Sequence, residues 1–166
     1  MKRNYPFNRS CHTEQIDIAV QLYILDVMPE KLDSIKEAKI REKFPQYPLP
    51  STLGMEIERL EYGMAGLHLR HKTELTQGGG FIHGGAISAL CDTAAGVALH
   101  TMIDDADKIL TIELKINFIA PASGDIYCLA KIIHKGRKTA VGEVDVTGES
   151  GELVAKGLLT FYIFRD

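Results

Sequence analysis

The chain has 166 residues, of which 45% are hydrophobic and 25% charged, and its formal net charge is −3. This composition excludes a disordered chain and a general affinity for nucleic acid or an anionic membrane. Its three cysteines form no CxxC pair, no signal peptide is apparent, and no apolar stretch is long enough to cross a bilayer. We therefore expect a cytoplasmic protein that needs no disulfide framework, metal or membrane.

The first 46 residues are predicted to form a helical extension. Apolar residues recur at helical spacing over residues 13–27, and a second, highly charged helix is predicted to run to about Lys43. Three prolines then predict a stiff linker, namely Pro45, Pro48 and Pro50. The predicted organisation is an extension over residues 1–46 and a main domain over residues 47–166.

The main domain has the pattern of an α+β fold. Two strands are predicted over residues 53–62 and 64–73, followed by a long apolar helix over about residues 84–99. Four further strands, joined by short turns, are predicted over residues 108–118, 126–135, 139–147 and 152–164. In the first of these four, apolar and polar residues alternate from residue 111 to 118, the period of a regular strand. This order predicts an antiparallel sheet of about six strands wrapped around one buried helix.

The predicted long helix carries a narrow stripe of small or polar residues. The stripe consists of Gly85, Ser88, Asp92 and Gly96, at spacings of three and four. An aspartate is rarely buried without a partner, because an unpaired charge in apolar surroundings is costly. Asp92 is therefore either satisfied by local hydrogen bonds or faces a cleft that receives a substrate.

Two glycines, Gly84 and Gly85, lie where this helix begins. The first N–H groups of a helix are unpaired and carry partial positive charge, so this end could stabilise the oxyanion of an acyl transfer; a flexible turn is the alternative. Eight residues of helix separate Gly84 from Asp92 by about 12 Å, too far for both to reach one carbonyl group. Two antiparallel copies related by a twofold axis would bring them together, so joint action predicts a homo-oligomer.

The run QGGGFIHGGAISALCDTAAG, from Gln77 to Gly96, resembles the signature of hotdog-fold thioesterases of the PaaI-like branch. Later segments resemble the strands of the same family, namely residues 114–122, 141–147 and 153–157. The resemblance covers about residues 50–166. It implies hydrolysis of an acyl-CoA thioester at a dimer interface, in a dimer or a dimer of dimers. Coenzyme A is then part of the substrate, and no cofactor is expected.

The same resemblance implies five catalytic residues. Asp92 is implied as the nucleophile or general base, and the N–H of Gly84 as the group that polarises the thioester carbonyl. His83 corresponds to the histidine that orders the turn before the helix. Gln77 matches a position near the thioester or the attacking water, and Thr111 a position that helps to hold the water.

Five further residues are predicted to bind the substrate. Gly85 and Ser88 lie beside the catalytic residues on the helix stripe. Gly136, Arg137 and Lys138 resemble a basic turn that meets the phosphates of coenzyme A in relatives. The alternative for this turn is a solvated hairpin tip.

Other interpretations of the same residues stay open. Cys91 is expected to be a buried structural cysteine, although its place beside Asp92 also suggests a nucleophile. His68 and His71 fall in one predicted strand and point to opposite faces, which disfavours a metal site. The alternatives to hydrolysis are a hotdog hydratase or dehydratase that acts on a thioester, and a non-catalytic acyl-CoA-binding protein.

Overall fold

Two short helices and one turn of 3₁₀ helix precede the sheet in the computed structural model, which describes residues 31–165. Helix α1 spans Ser34–Lys43, and the Asp33 carboxylate caps it by accepting two backbone N–H groups of its first turn. The predicted second helix is thereby confirmed. The predicted first helix, over residues 13–27, lies outside the described residues.

The predicted proline linker is wrong in its secondary structure. A 3₁₀ turn over Phe44–Gln46 and helix α2 over Pro48–Leu53 occupy this region. Proline fits the first turn of a helix, where its missing N–H would have no partner. Residues from Lys31 onward belong to one compact unit that includes the sheet, whereas a domain boundary at residue 46 stays a prediction.

A six-stranded antiparallel sheet follows, as the sequence predicts. Its strands are β1 (Met55–Glu61), β2 (Met64–Leu69), β3 (Lys108–Phe118), β4 (Ile126–Lys135), β5 (Thr139–Gly148) and β6 (Leu153–Phe164). The strand order across the sheet is β1-β2-β4-β5-β6-β3, and each neighbouring pair is antiparallel. Strands β1 and β3 therefore form the two edges.

The long helix α3, Gly84–His100, is the centre of the core. Alternate residues of β4 and β5 are buried, so one face of the sheet packs against α3. Nine residues of α3 are buried, and they are Ile87, Leu90, Cys91, Ala94, Ala95, Gly96, Val97, Ala98 and Leu99. A sheet wrapped around one apolar helix is the predicted hotdog architecture. Within residues 31–165, no helix is both long and apolar enough to span a membrane.

Strand β2 is shorter than the sequence predicts. It ends at Leu69, and the chain then leaves the sheet. His68 is buried, and its Nε2 lies 2.9 Å from Asp125 Oδ2, while Asp125 Oδ1 accepts the backbone N–H of His71 at 2.7 Å. The expectation that both histidines lie in one strand is wrong, because the Asp125 carboxylate binds the chain where it turns away.

Edge strand β3 also departs from the regular alternation that its sequence predicts. Thr111 pairs with Phe161, and Leu114 pairs with Leu159, although three positions separate Thr111 from Leu114. Both partners on β6 are buried, so Thr111 and Leu114 face the same side of the sheet. A β-bulge at Ile112, between the paired residues on either side, produces this change of phase. Thr111 consequently faces the central helix.

Candidate active site

His83 caps the central helix through its side chain. Its Nδ1 accepts the backbone N–H of Gly85 at 2.8 Å, and its carbonyl accepts the N–H of Ala86 at 2.9 Å. The N–H of Gly85 is therefore already hydrogen-bonded within the chain, although the sequence predicts that Gly85 binds substrate. The N–H of Gly84 has no acceptor within the part of the chain that the structure describes. The start of α3 therefore presents one free donor, at Gly84.

The Ser88 hydroxyl is also engaged within the helix. It donates to the Gly84 carbonyl at 2.8 Å, one turn earlier. Such a bond satisfies the hydroxyl locally and fixes its rotamer. Neither Ser88 nor Gly85 lines the cavity at the start of the helix, so their binding of substrate stays a prediction.

A cavity of about 430 Å³ opens at the start of α3. It is lined by Gln77, Phe81, Ile82, Gly84, Ile87, Phe118, Ile119, Ala120, Pro121 and Ala122. Only one of these lining residues, Gln77, has a polar side chain. The free N–H of Gly84 thus belongs to an otherwise apolar pocket, where a hydrogen bond to a ligand is stronger than in water.

Gln77 is oriented by the glycine turn that follows it. Its side-chain Oε1 accepts the N–H of Gly79 at 2.8 Å, and its carbonyl accepts the N–H of Gly80 at 2.9 Å. Gly80 has a φ of +83°, which favours glycine at this position. Because the side-chain oxygen is occupied, Gln77 presents its Nε2 amide group as a donor.

Asp92 lies with Thr111 and away from this cavity. Thr111 Oγ1 donates to Asp92 Oδ1 at 2.7 Å, across the gap between edge strand β3 and the helix. Asp92 Oδ2 receives no hydrogen bond from any residue between 31 and 165. The half-buried carboxylate therefore keeps one oxygen available. Asp92 is not among the residues that line the cavity.

The basic turn lies at the opposite end of the sheet from the cavity. The turn that connects β4 to β5 consists of Gly136, Arg137 and Lys138. The next residue, Thr139, pairs with a residue of β6 whose other strand partner lies near the start of β3. The cavity adjoins Phe118, at the other end of β3. Arg137 and Lys138 are exposed. Within one chain, this turn is remote from Gly84.

Two cysteines near the site are buried and free. Cys91 is fully buried in α3, as the sequence predicts, and Cys128 lies beside it. Burial, with a smaller contribution from Cys91, raises the pKa of the Cys128 thiol. A thiol in such surroundings stays protonated and is a poor nucleophile.

Sequence patterns did not single out the aromatic walls of the cavity, Phe81 and Phe118. Phe118 has the apolar side chain expected at any inward position of β3, and only the tertiary structure brings it to Gly84. A Cβ added at Gly84 would lie 3.2 Å from Phe118 Cζ. The signal for a special role is therefore this contact rather than the residue type.

Known proteins resemble the chain in sequence over this region. A profile of the thioesterase superfamily matches residues 79–155. A Saccharolobus solfataricus protein, named provisionally as an esterase, is 36% identical over 114 residues, which cover 68% of this chain and 81% of that protein. The 1,4-dihydroxy-2-naphthoyl-CoA hydrolase of Listeria monocytogenes is 30% identical over 107 residues, which cover 64% of this chain and 87% of that enzyme.

Solved structures agree with these similarities. A thioesterase family protein from Silicibacter pomeroyi superposes with a TM-score of 0.74 at 28% identity, over 79% of this chain and 99% of that one. The Escherichia coli PaaI protein, from the phenylacetic acid degradation operon, superposes with a TM-score of 0.72 at 19% identity, over 79% of this chain and 95% of that one. The second likeness concerns the fold alone. The chain belongs to the thioesterase superfamily, and it is a hotdog-fold thioester hydrolase.

Proposed function

We propose that the protein hydrolyses acyl-CoA thioesters at a site shared by two copies of the chain. One chain supplies Asp92 and Thr111, and the other supplies Gly84 and Gln77. The observation that carries this proposal is the free N–H of Gly84 in a cavity that Asp92 does not line. Each chain therefore holds two half-sites, separated by about 12 Å of helix.

The half-site at Gly84 is suited to bind the thioester carbonyl. The oxygen would accept the Gly84 N–H, and the partial positive charge of the helix start favours the oxyanion that forms on attack. The Nε2 of Gln77 is a second donor that lines the same cavity. The helix start fixes the Gly84 N–H, and the hydrogen bond to Gly79 orients the Gln77 amide before substrate arrives, so little reorganisation is needed in the transition state.

The half-site at Asp92 is suited to start the attack. Thr111 binds one carboxylate oxygen, and the other can attack the carbonyl carbon or accept a proton from water. The carbon–sulfur bond then breaks, and coenzyme A leaves as a thiol or thiolate. Direct attack by Asp92 would give an anhydride that water then hydrolyses. If Asp92 instead acts as a general base, water adds to the carbonyl carbon, and elimination of coenzyme A gives the carboxylic acid directly.

The exposed edge of the sheet also supports a twofold axis. Edge strand β3 carries exposed apolar side chains, with Leu110 and Ile112 each 60% exposed, and an uncovered edge of this kind favours pairing with another chain. The same axis that reverses α3 would carry Arg137 and Lys138 toward the cavity of the second chain. There they could bind the coenzyme A phosphates, in a dimer or a dimer of dimers.

The relatives support the substrate class. One of them is named for the hydrolysis of an aromatic acyl-CoA, and the cavity here is apolar enough for an acyl group. The proposal includes the expectations of a cytoplasmic enzyme and of no cofactor beyond the coenzyme A of the substrate.

A thiol-release assay over a panel of acyl-CoA esters tests the chemistry. We expect Asp92→Ala and Asp92→Asn to lower kcat by at least about 100-fold, because each removes the base or nucleophile. Asn keeps the size of the side chain and controls for packing. A wild-type protein that releases no coenzyme A from any ester, or an Asp92→Asn variant as fast as wild type, would exclude the proposal.

A mixing experiment tests whether the site is shared. Asp92→Ala and Gly84→Pro chains should each be nearly inactive alone, but a mixed dimer contains one site with Asp92 from one chain and Gly84 from the other. Random exchange of equal amounts should restore about one quarter of the sites. Subunit exchange is followed by mass spectrometry of isotope-labelled chains. Proven exchange without recovered activity would contradict a shared site.

A further inference from the structure

The cavity at the start of α3 has an aromatic wall that the mechanism does not use. Phe118 is the last residue of β3, and its strand partner Ala155 is fully buried on the inner face of the sheet. A large aromatic side chain on an inward face is ordinarily buried. Phe118 is nevertheless 56% exposed in the single chain, where it ends the uncovered edge strand and its ring borders the open cavity.

The ring lies directly against the backbone of Gly84. A Cβ added at Gly84 would lie 3.2 Å from Phe118 Cζ and 3.3 Å from Cε1. The ring and the free N–H therefore adjoin each other in one cavity. The α-carbon of an acyl group is only two bonds from its carbonyl oxygen. When the oxygen accepts the Gly84 N–H and the acyl group enters the cavity, substituents on that carbon therefore come near the ring.

We infer that Phe118 is a specificity-determining residue, which limits the bulk of the acyl group next to the thioester carbonyl. This inference rests on the proposed hydrolysis of acyl-CoA at Gly84. Within one chain, no charged side chain among the described residues lines the cavity, so what this wall contributes to discrimination between acyl groups is its shape. One misplaced methyl or methylene group in an apolar pocket typically changes kcat/KM by about tenfold or more.

Pairs of isomeric acyl-CoA esters test this inference. Each pair has the same number of carbons, and one member is straight while the other is branched at the α-carbon, as in butyryl-CoA and isobutyryl-CoA. We expect wild type to favour the straight isomer by about tenfold in kcat/KM. Phe118→Ala should bring this ratio close to one, mainly by raising kcat/KM for the branched isomer, and Phe118→Leu should give an intermediate ratio.

Phe164→Ala is the matched control. Phe164 is an aromatic residue near the end of β6, where it stacks on Tyr162 at 5.9 Å, and it does not line the cavity. Its variant should keep the wild-type ratio for the straight and branched isomers. A change in the ratio equal to that of the Phe118 variants would show an indirect effect of aromatic loss and would overturn the inference.

The remaining outcomes separate this inference from the proposed function. If wild type releases no coenzyme A from any ester, both fail together. If wild type is active but hydrolyses the two isomers equally, or if the Phe118 variants keep its ratio within about twofold, the specificity role alone fails. Phe118→Leu, which retains an apolar side chain, decides the matter if Phe118→Ala does not fold.

Discussion

The half-sites at Gly84 and Asp92 are built in different ways. At Gly84 the functional group belongs to the backbone, in a helix start that His83 caps and that opens on an apolar cavity. At Asp92 the functional groups are side chains, and Thr111 reaches the carboxylate from an edge strand. The first half-site therefore depends on where the helix begins, and the second on the register of β3.

The separation of the half-sites has a chemical advantage. A carboxylate at the start of a helix accepts the free N–H groups there, as the carboxylate of Asp33 does at α1. Such a bond at α3 would consume the donor that the oxyanion needs. Eight residues of helix keep Asp92 away from Gly84 of its own chain, so the donor stays free until a second chain and a substrate complete the site.

The largest effect is expected from removing the backbone donor. Gly84→Pro deletes the N–H at the first position of the helix, where proline is well tolerated, and the extended backbone of His83 suits a following proline. Loss of an oxyanion donor typically lowers kcat by about 100-fold to 1,000-fold. Steady-state kinetics on the best acyl-CoA ester measure this effect.

Gly84→Ala is the control for added bulk. It keeps the N–H but places a Cβ against the Phe118 ring, which is exposed and can move by a few tenths of an ångström. We expect a much smaller loss of kcat than with proline. Equal losses in the two variants would mean that the space at Gly84 matters and its N–H does not.

A smaller effect is expected at the side-chain half-site. Thr111→Val removes the hydroxyl that binds Asp92 Oδ1 and keeps the shape of the side chain. A hydrogen bond to a charged group contributes about 1.5–3 kcal/mol, so kcat should fall by at least about tenfold with little change in KM. Thr111→Ser, which retains the hydroxyl, should stay close to wild type. A Val variant with normal kcat would show that Thr111 does not orient the carboxylate.

The sequence allows much of this architecture to be predicted. The periodicity of the apolar residues predicts the six strands and the central helix, and helix geometry alone separates Gly84 from Asp92. The contact between Thr111 and Asp92 cannot be derived from alternation, because regular alternation places Thr111 on the face opposite Leu114. The bulge at Ile112 places Thr111 and Leu114 on the same face of the sheet. Such a bulge depends on pairing with β6 rather than on local sequence.

The proline region and the aromatic wall show a second limit of prediction. Proline disrupts a helix interior but favours the first turn, so the residues at Pro45 and Pro48 are compatible with both a linker and a helix start. Phe118 meets Gly84 only after the sheet has closed around the helix. A contact between elements distant in the sequence decides the second feature, and residue type does not reveal it.

The smallest effect is expected at the residue that positions the Gly84 donor. His83→Ala removes the acceptor of the Gly85 N–H, and loss of a helix cap typically costs about 1 kcal/mol of stability. His83→Asn supplies an oxygen that can accept the same N–H. We expect thermal unfolding to place the Asn variant close to wild type and the Ala variant below it. If His83 acts only by capping, kcat should follow the same order, with a loss of less than about tenfold in the Ala variant. An Asn variant that is as stable as wild type but as slow as an Asp92 variant would instead make His83 a proton-transfer residue, and its pH–rate profile would differ from that of wild type.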